Sequence, residues 1–172
     1  MSENQFGTLT LRKIFGKTDL RGKAALILST WFGTGLVVPR APGTAGTLAG
    51  LPLVLIIKCF GSLYEALVLF AFVFLAVWSA DRSYRLLGRE DPPEVVIDEV
   101  AGYLLALFLL PASWLTISLG FLLFRIFDIW KPFPIKRLEG IKGGPGIVLD
   151  DLVAGLYANL VVRVVLLCID HF

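Results

Sequence analysis

The chain has 172 residues, 56% of them hydrophobic and 17% charged, with mean hydropathy +0.79 and a formal net charge of +2. That hydropathy excludes an ordinary soluble domain and points to a single integral membrane domain, and the small charge without a basic face excludes a nucleic-acid binder. Two cysteines exclude a disulfide framework or a zinc cluster; Cys59 and Cys168, each within an apolar stretch, are expected as small buried residues.

Residues 1–23 are polar and basic and carry no cleavable signal pattern. Leu11, Ile14 and Phe15 stand at helical spacing among them, which fits a short interfacial helix or a solvated tail. Residues 24–38 are apolar but broken by Gly33 and Gly35, and read as a helix running into a surface loop. The segment PRAPGTAG, residues 39–46, reads as a Gly/Pro loop before an apolar run from Thr47 to Phe60. After a break at Gly61-Ser62 comes the clearest spanning run, Leu63 to Ala80, then a polar loop from Asp81 to Glu94. Val95 to Leu110 and Trp114 to Trp130 form two further runs, joined by a tight hairpin at Pro111-Ala112-Ser113. The first would be roughly 24 Å of helix, short for a hydrocarbon core of about 30 Å. A polar loop, Lys131 to Gly146, leads to the last run, Ile147 to Ile169. The expected fold is all-α, a polytopic membrane helical bundle of about four to five membrane helices plus a short N-terminal interfacial helix. Residues 1–23 form a cytoplasmic or interfacial segment, and 24–172 a single membrane domain.

With the N-terminus assigned to the cytoplasm, alternation puts 13 of the 16 Lys and Arg residues in cytoplasmic segments, a strong positive-inside signal. Only Lys58 falls outside, while Arg125 and Arg163 fall within runs, the latter without an explanation in the sequence. The same topology brings PRAPGTAG, Asp98-Glu99, Asp128 and Asp150-Asp151 to one membrane face.

Carboxylates are costly near a bilayer and mark function there. Each acid pair stands at the start of an apolar run, where helix capping is the ordinary explanation. Capping does not explain Asp128, which ends a run where its charge opposes the helix dipole. Arg125, Asp128 and Lys131 are spaced by three and so share a face, and Pro132 and Pro134 then end the helix. They form either an ion-pair ladder or a metal ligand flanked by phosphate-binding cations. Oxygen ligands suit Mg²⁺, and the lone His171, placed on the far side, supports neither zinc nor a Ser-His-Asp triad. The Gly-rich stretches at Gly43, Thr44 and Gly46, and at Gly143, Gly144 and Gly146, are either turns or anion cradles at helix starts; the Lys of a Walker A loop is missing. Glu94 joins Asp98 on one face if that helix begins early.

Four segments in order, GTGLVVPRAPGTAGTLAGLPL, EVVIDEVAG, FRIFDIWKPFPI and GGPGIVLDDLVAG, resemble the phosphatidylglycerophosphatase A family over about three-quarters of the chain. The resemblance implies a Mg²⁺-dependent phosphatase of the bacterial inner membrane, multi-pass and with its site facing the cytoplasm. Its substrate would be phosphatidylglycerophosphate, a phospholipid held in the bilayer. It implies a site of Thr44, Asp98, Glu99, Asp128, Lys131, Asp150 and Asp151, with the five acids holding metal. Gly43, Gly46, Arg125 and Gly144 join Thr44 and Lys131 as candidate phosphate-binding residues. The residues allow attack by water with a carboxylate such as Glu99 as base, or attack by Asp128 itself, and do not fix the oligomeric state. A CDP-alcohol phosphotransferase-like membrane enzyme is the alternative, although the acids here are spread over three runs rather than spaced along one. A small non-enzymatic ion carrier is the other, although the acids lie at the ends of runs rather than along a path.

Overall fold

The computed structural model describes residues 11–38, 41–90 and 92–170, and every regular element among them is an α-helix. His171 and Arg40 lie outside the described residues, as does the whole N-terminal segment 1–10. Residues 11–17 form α1, followed by α2 (Leu20–Ser29), α3 (Thr34–Val37), α4 (Pro42–Lys58) and α5 (Ser62–Leu87). Then come α6 (Ile97–Ala106), α7 (Trp114–Trp130), α8 (Ile135–Leu138) and α9 (Gly144–Asp170).

Several boundaries differ from expectation, each for a local reason. Helix α4 begins at Pro42, so Gly43, Thr44 and Gly46 lie in its first turns rather than in a preceding loop. Proline at the first helical position has its φ already set and no N–H to lose. Helix α5 runs past Ala80 because Asp81 and Arg85 pair at 2.9 Å one turn apart. It stops at Gly88, whose φ of 65° places it in the left-handed region. Helix α9 begins at Gly144, ahead of the expected Ile147. Helix α2 starts at Leu20, where the Asp19 carboxylate accepts a hydrogen bond from the Gly22 N–H at 2.9 Å.

The largest departure is α6. It has ten residues, about 15 Å, where an apolar run of sixteen had suggested one long helix. Eight of the ten are buried, and the helix is enclosed by α4, α5, α7 and α9. Its C-terminal carbonyls and the following non-helical turn lie in an apolar setting, where unpaired backbone groups are costly. Side chains from three other helices, α4, α5 and α9, satisfy them. Asn159 Nδ2 donates to the carbonyls of Leu105, Ala106 and Phe108 at 2.9–3.2 Å. Arg163 donates to Asn159 Oδ1 and to the Phe108 carbonyl, which accounts for a charge that the sequence left unexplained. Lys58 Nζ donates to the carbonyls of Leu107 and Leu110 and pairs with Glu65 at 2.9 Å, while Glu65 accepts the Leu109 N–H.

Close approach of α6 to α9 depends on two glycines. A Cβ on Gly155 would overlap the Gly102 carbonyl, and one on Gly102 would stand 2.6 Å from the Asp151 carbonyl oxygen. Gly102 is one turn beyond Asp98, and Gly155 one turn beyond Asp151, so this contact sets the spacing of the acids.

Two described helices are long and apolar enough to cross a membrane, Ser62–Leu87 and Gly144–Ile169, and less than a third of the apolar stretch of each is buried. Helix α4 is apolar but has 17 residues. Cys59 and Cys168 are both exposed rather than buried, because each lies on the outward side of its helix end. The helical spacing of Leu11, Ile14 and Phe15 packs them with Leu26 and Leu87 in a satellite cluster.

Replacing Asn159 by Leu removes three hydrogen bonds from the end of α6. The loss of even one buried partner costs about 1–3 kcal/mol, so Asn159→Leu should lower the thermal unfolding midpoint in detergent clearly. Exposed Leu160→Ala, next to it in sequence, should leave the midpoint nearly unchanged.

Candidate active site

The N-terminus of α6 presents Asp98 and Glu99, and both acids lie in its first turn. Asp150 and Asp151 lie in the second turn of α9, because that helix starts six residues earlier. Capping therefore does not explain the second pair. One oxygen each from Asp98, Glu99 and Asp151 falls within 4.8 Å of the others. Asp128, in the last turn of α7, reaches toward Asp151 and pairs with Arg125 at 2.6 Å. All five acids border one cavity of about 440 Å³ at this end of the bundle.

Four carboxylate oxygens here, Asp98 Oδ1, Glu99 Oε2, Asp150 Oδ1 and Asp151 Oδ2, are buried without a hydrogen-bond partner. Buried polar atoms are normally satisfied, and orphans concentrate where a ligand completes the site. Several oxygens converging at this distance suit a hard cation such as Mg²⁺. Two nearby cations face the five acids and pair with only two of them. Arg125 is paired with Asp128, and Lys131 bridges Asp150 at 2.9 Å and Glu139 at 3.2 Å.

Lys131 does not extend the Arg125–Asp128 face. It ends α7 in the left-handed conformation, φ 46°, and its N–H closes on the Phe127 carbonyl at 2.8 Å. Pro132 follows and cannot continue the helix. The turn swings the ammonium away from Asp128 and toward α9. Burial alone lowers the Lys131 pKa, but the hydrogen bond and charge of Asp150, with Glu139 adding, raise it on balance above the ordinary lysine value. Lys131 therefore stays protonated across the physiological range.

The start of α4 forms the opposite wall, with Gly43 and Thr44 on the cavity. A Cβ at Gly43 would collide with the Glu99 carboxylate and stand 2.9 Å from an Arg125 nitrogen, so a larger residue there would push these two side-chain ends aside. The N–H groups of this first turn favour an anion. Two of the expected phosphate contacts are placed elsewhere. Gly46 packs against Val96, 2.7 Å from a would-be Cβ, and Gly144 packs on α5, donating its N–H to Asp81 at 3.3 Å. Neither borders the cavity, while Gly146 does. Glu94 precedes α6 and pairs with Arg89 at 2.9 Å rather than sharing a face with Asp98.

Glu139 is the residue that sequence reasoning missed. It lines the cavity and holds Lys131, yet lies eight positions beyond it, past two prolines and α8. No spacing rule links them.

The family model for phosphatidylglycerophosphatase A matches residues 27–166. The Haemophilus influenzae phosphatidylglycerophosphatase A is 39% identical over 139 residues, covering 79% of this chain and 85% of that protein. The Escherichia coli K12 phosphatidylglycerophosphatase A is 35% identical over 132 residues, covering 76% of each. A Bacteroides thetaiotaomicron protein, provisionally named a phosphatidylinositol-3-phosphatase, is 36% identical over 148 residues, covering 81% of this chain and 91% of its own length. No solved structure matches. A match of this extent, covering every acid of the cavity, makes the chain a member of the phosphatidylglycerophosphatase A family.

Proposed function

We propose that this protein is a Mg²⁺-dependent lipid phosphatase, hydrolysing phosphatidylglycerophosphate to phosphatidylglycerol and inorganic phosphate at the cytoplasmic face of a bacterial inner membrane. The observation that carries the reading is the set of unpartnered carboxylate oxygens beside Arg125 in one cavity, in a chain of this family. Asp98, Glu99 and Asp151 would hold the cation, with Asp128 and Asp150 completing the acidic wall. Bound Mg²⁺ would supply charge neutralisation for the phosphomonoester and an acidified water.

The chain's own groups do the rest. Arg125 and the first turn of α4 face the same space, suited to non-bridging phosphate oxygens. Lys131, kept protonated by Asp150 and Glu139, adds positive charge at the rim. Glu99 lies against Arg125 and Gly43, where it can accept a proton from attacking water. Hydrolysis breaks the phosphorus–oxygen bond to the lipid and forms one to water oxygen. The activities for which these relatives are named, on glycerophosphate and inositol-phosphate lipids, share a phosphomonoester on a polyol headgroup.

Membrane embedding rests on the exposed apolar faces of α5 and α9, and on Trp114 and Trp130, exposed at opposite ends of α7. These indoles stand about 24 Å apart along the helix axis, a separation suited to two interfaces. Helices α4, α5, α7 and α9 would cross, enclosing the half-length α6. Orientation rests on the basic segments at the cavity end, which include Arg85, Lys136, Arg137 and Lys142.

Purified protein should release phosphate from phosphatidylglycerophosphate with Mg²⁺ and fall to background in chelator. Phosphatidic acid and phosphatidylinositol 3-phosphate, measured alongside, test the headgroup; preference for either overturns the substrate assigned. Mg²⁺ should raise the unfolding midpoint of the wild type but not of Asp98→Asn. In chelator that variant should itself be more stable than wild type, by about 1 kcal/mol, because one of three crowded carboxylates is gone.

Asp128→Asn should reduce hydrolysis by orders of magnitude while the protein remains folded. If Asp128 serves only to neutralise Arg125, the double change Arg125→Leu with Asp128→Leu should retain activity; the site chemistry predicts that it is inactive. Near-normal turnover by Asp128→Asn at saturating Mg²⁺ would falsify its role.

A further inference from the structure

A second cavity, larger and more open at about 660 Å³, lies between α1 and the last turns of α5. It shares no lining residue with the acidic cavity. Lys13, Lys17 and Arg82 supply three cations, against one carboxylate, Asp19. That carboxylate is already committed, accepting from the Gly22 N–H at 2.9 Å and from Arg82 Nη2 at 3.3 Å. Arg82 Nε is buried and has no hydrogen-bond partner among the described residues. The remaining wall is apolar, with Ile14 and Leu86 continuous with the satellite cluster of Leu11, Leu26 and Leu87.

Cations over an apolar wall suit an amphiphile with an anionic head. The position agrees. Arg82 lies just past the apolar run that ends at Ala80, which puts the cavity at headgroup depth if α5 crosses the bilayer. Residues 13–19 precede the family match, which starts at residue 27, so one wall of this cavity lies outside the matched region.

We propose that this cavity binds the headgroup of an anionic phospholipid, its phosphate seated between Lys13, Lys17 and Arg82 and its acyl chains running along Ile14 and Leu86. The bound lipid fastens α1 and α2 to α5. Helix α2 in turn holds the approach to α6, since the Ser29 carbonyl accepts the Val96 N–H at 2.8 Å. The inference rests on the membrane placement and is independent of the reaction.

The test uses the full chain in dodecyl maltoside micelles, titrated with dioleoylphosphatidylserine and read from the unfolding midpoint. This lipid is anionic and has no terminal phosphate, so the result stands whether or not the phosphatase reading does. Wild type should show saturable stabilisation, with dioleoylphosphatidylcholine inactive. Lys13→Gln with Lys17→Gln should weaken the apparent Kd at least about tenfold, each basic group near a lipid headgroup contributing roughly equally. Lys13→Arg with Lys17→Arg should retain binding, which separates charge from packing. Lys136→Gln with Lys142→Gln, on the other basic segment, should bind as wild type does. An equal loss in that control means diffuse surface attraction and overturns the site. An equal response to phosphatidylcholine, or no response to the Gln pair, overturns it too. Stabilisation of the same size by inorganic phosphate alone overturns the lipid as ligand in favour of a soluble anion.

Discussion

A ten-residue helix buried on all sides is the constraint around which this protein is arranged. Helix α6 ends far short of the apolar run that contains it, and eight of its ten residues are buried. Backbone polar groups in such a place must find partners within the protein. Asn159, Arg163 and Lys58 supply them. Those three side chains come from α4 and α9, so the requirement to cap one helix end also fixes two neighbours against it. The charges that look anomalous in an apolar sequence therefore cap a helix end at the far end of α6 and gather around one cavity at the near end.

The near end inherits its geometry from that packing. Gly102 and Gly155 let α6 and α9 touch backbone to backbone, one turn away from Asp98 and Asp151. Glycine at Gly43 lets the first turn of α4 close on Glu99 and Arg125. Small residues thus determine how near the carboxylates come, and their nearness determines what they can bind. Like charges at this distance in a desolvated site repel, and the bundle holds them together through contacts made elsewhere. On the proposed reading, a bound cation would relieve that repulsion.

The cations divide by role according to their partners. Arg125 is held by Asp128 within one helix, in a position that faces the acids and the α4 N-terminus. Lys131 is held across the cavity by groups from two other segments, Asp150 and Glu139. The left-handed turn at Lys131 decides this division, because a continued helix would have stacked all three charges along one face.

Much was legible in the chain before folding. The apolar runs located the long helices, since burial or lipid contact both demand uninterrupted apolar surface. The acids at the ends of runs were recognisable because an ionised group there needs a reason, and the ordered motifs pointed to the family that the chain belongs to. What the sequence could not decide was anything set by contacts between distant segments. The truncation of α6 depends on Asn159 and Arg163, more than fifty positions away. The placement of Glu139 depends on the turn after α7, and the displacement of Gly46 and Gly144 from the cavity depends on Val96 and Asp81. Local spacing predicts which residues share a face of one helix. Which faces meet, and how closely, is decided by packing.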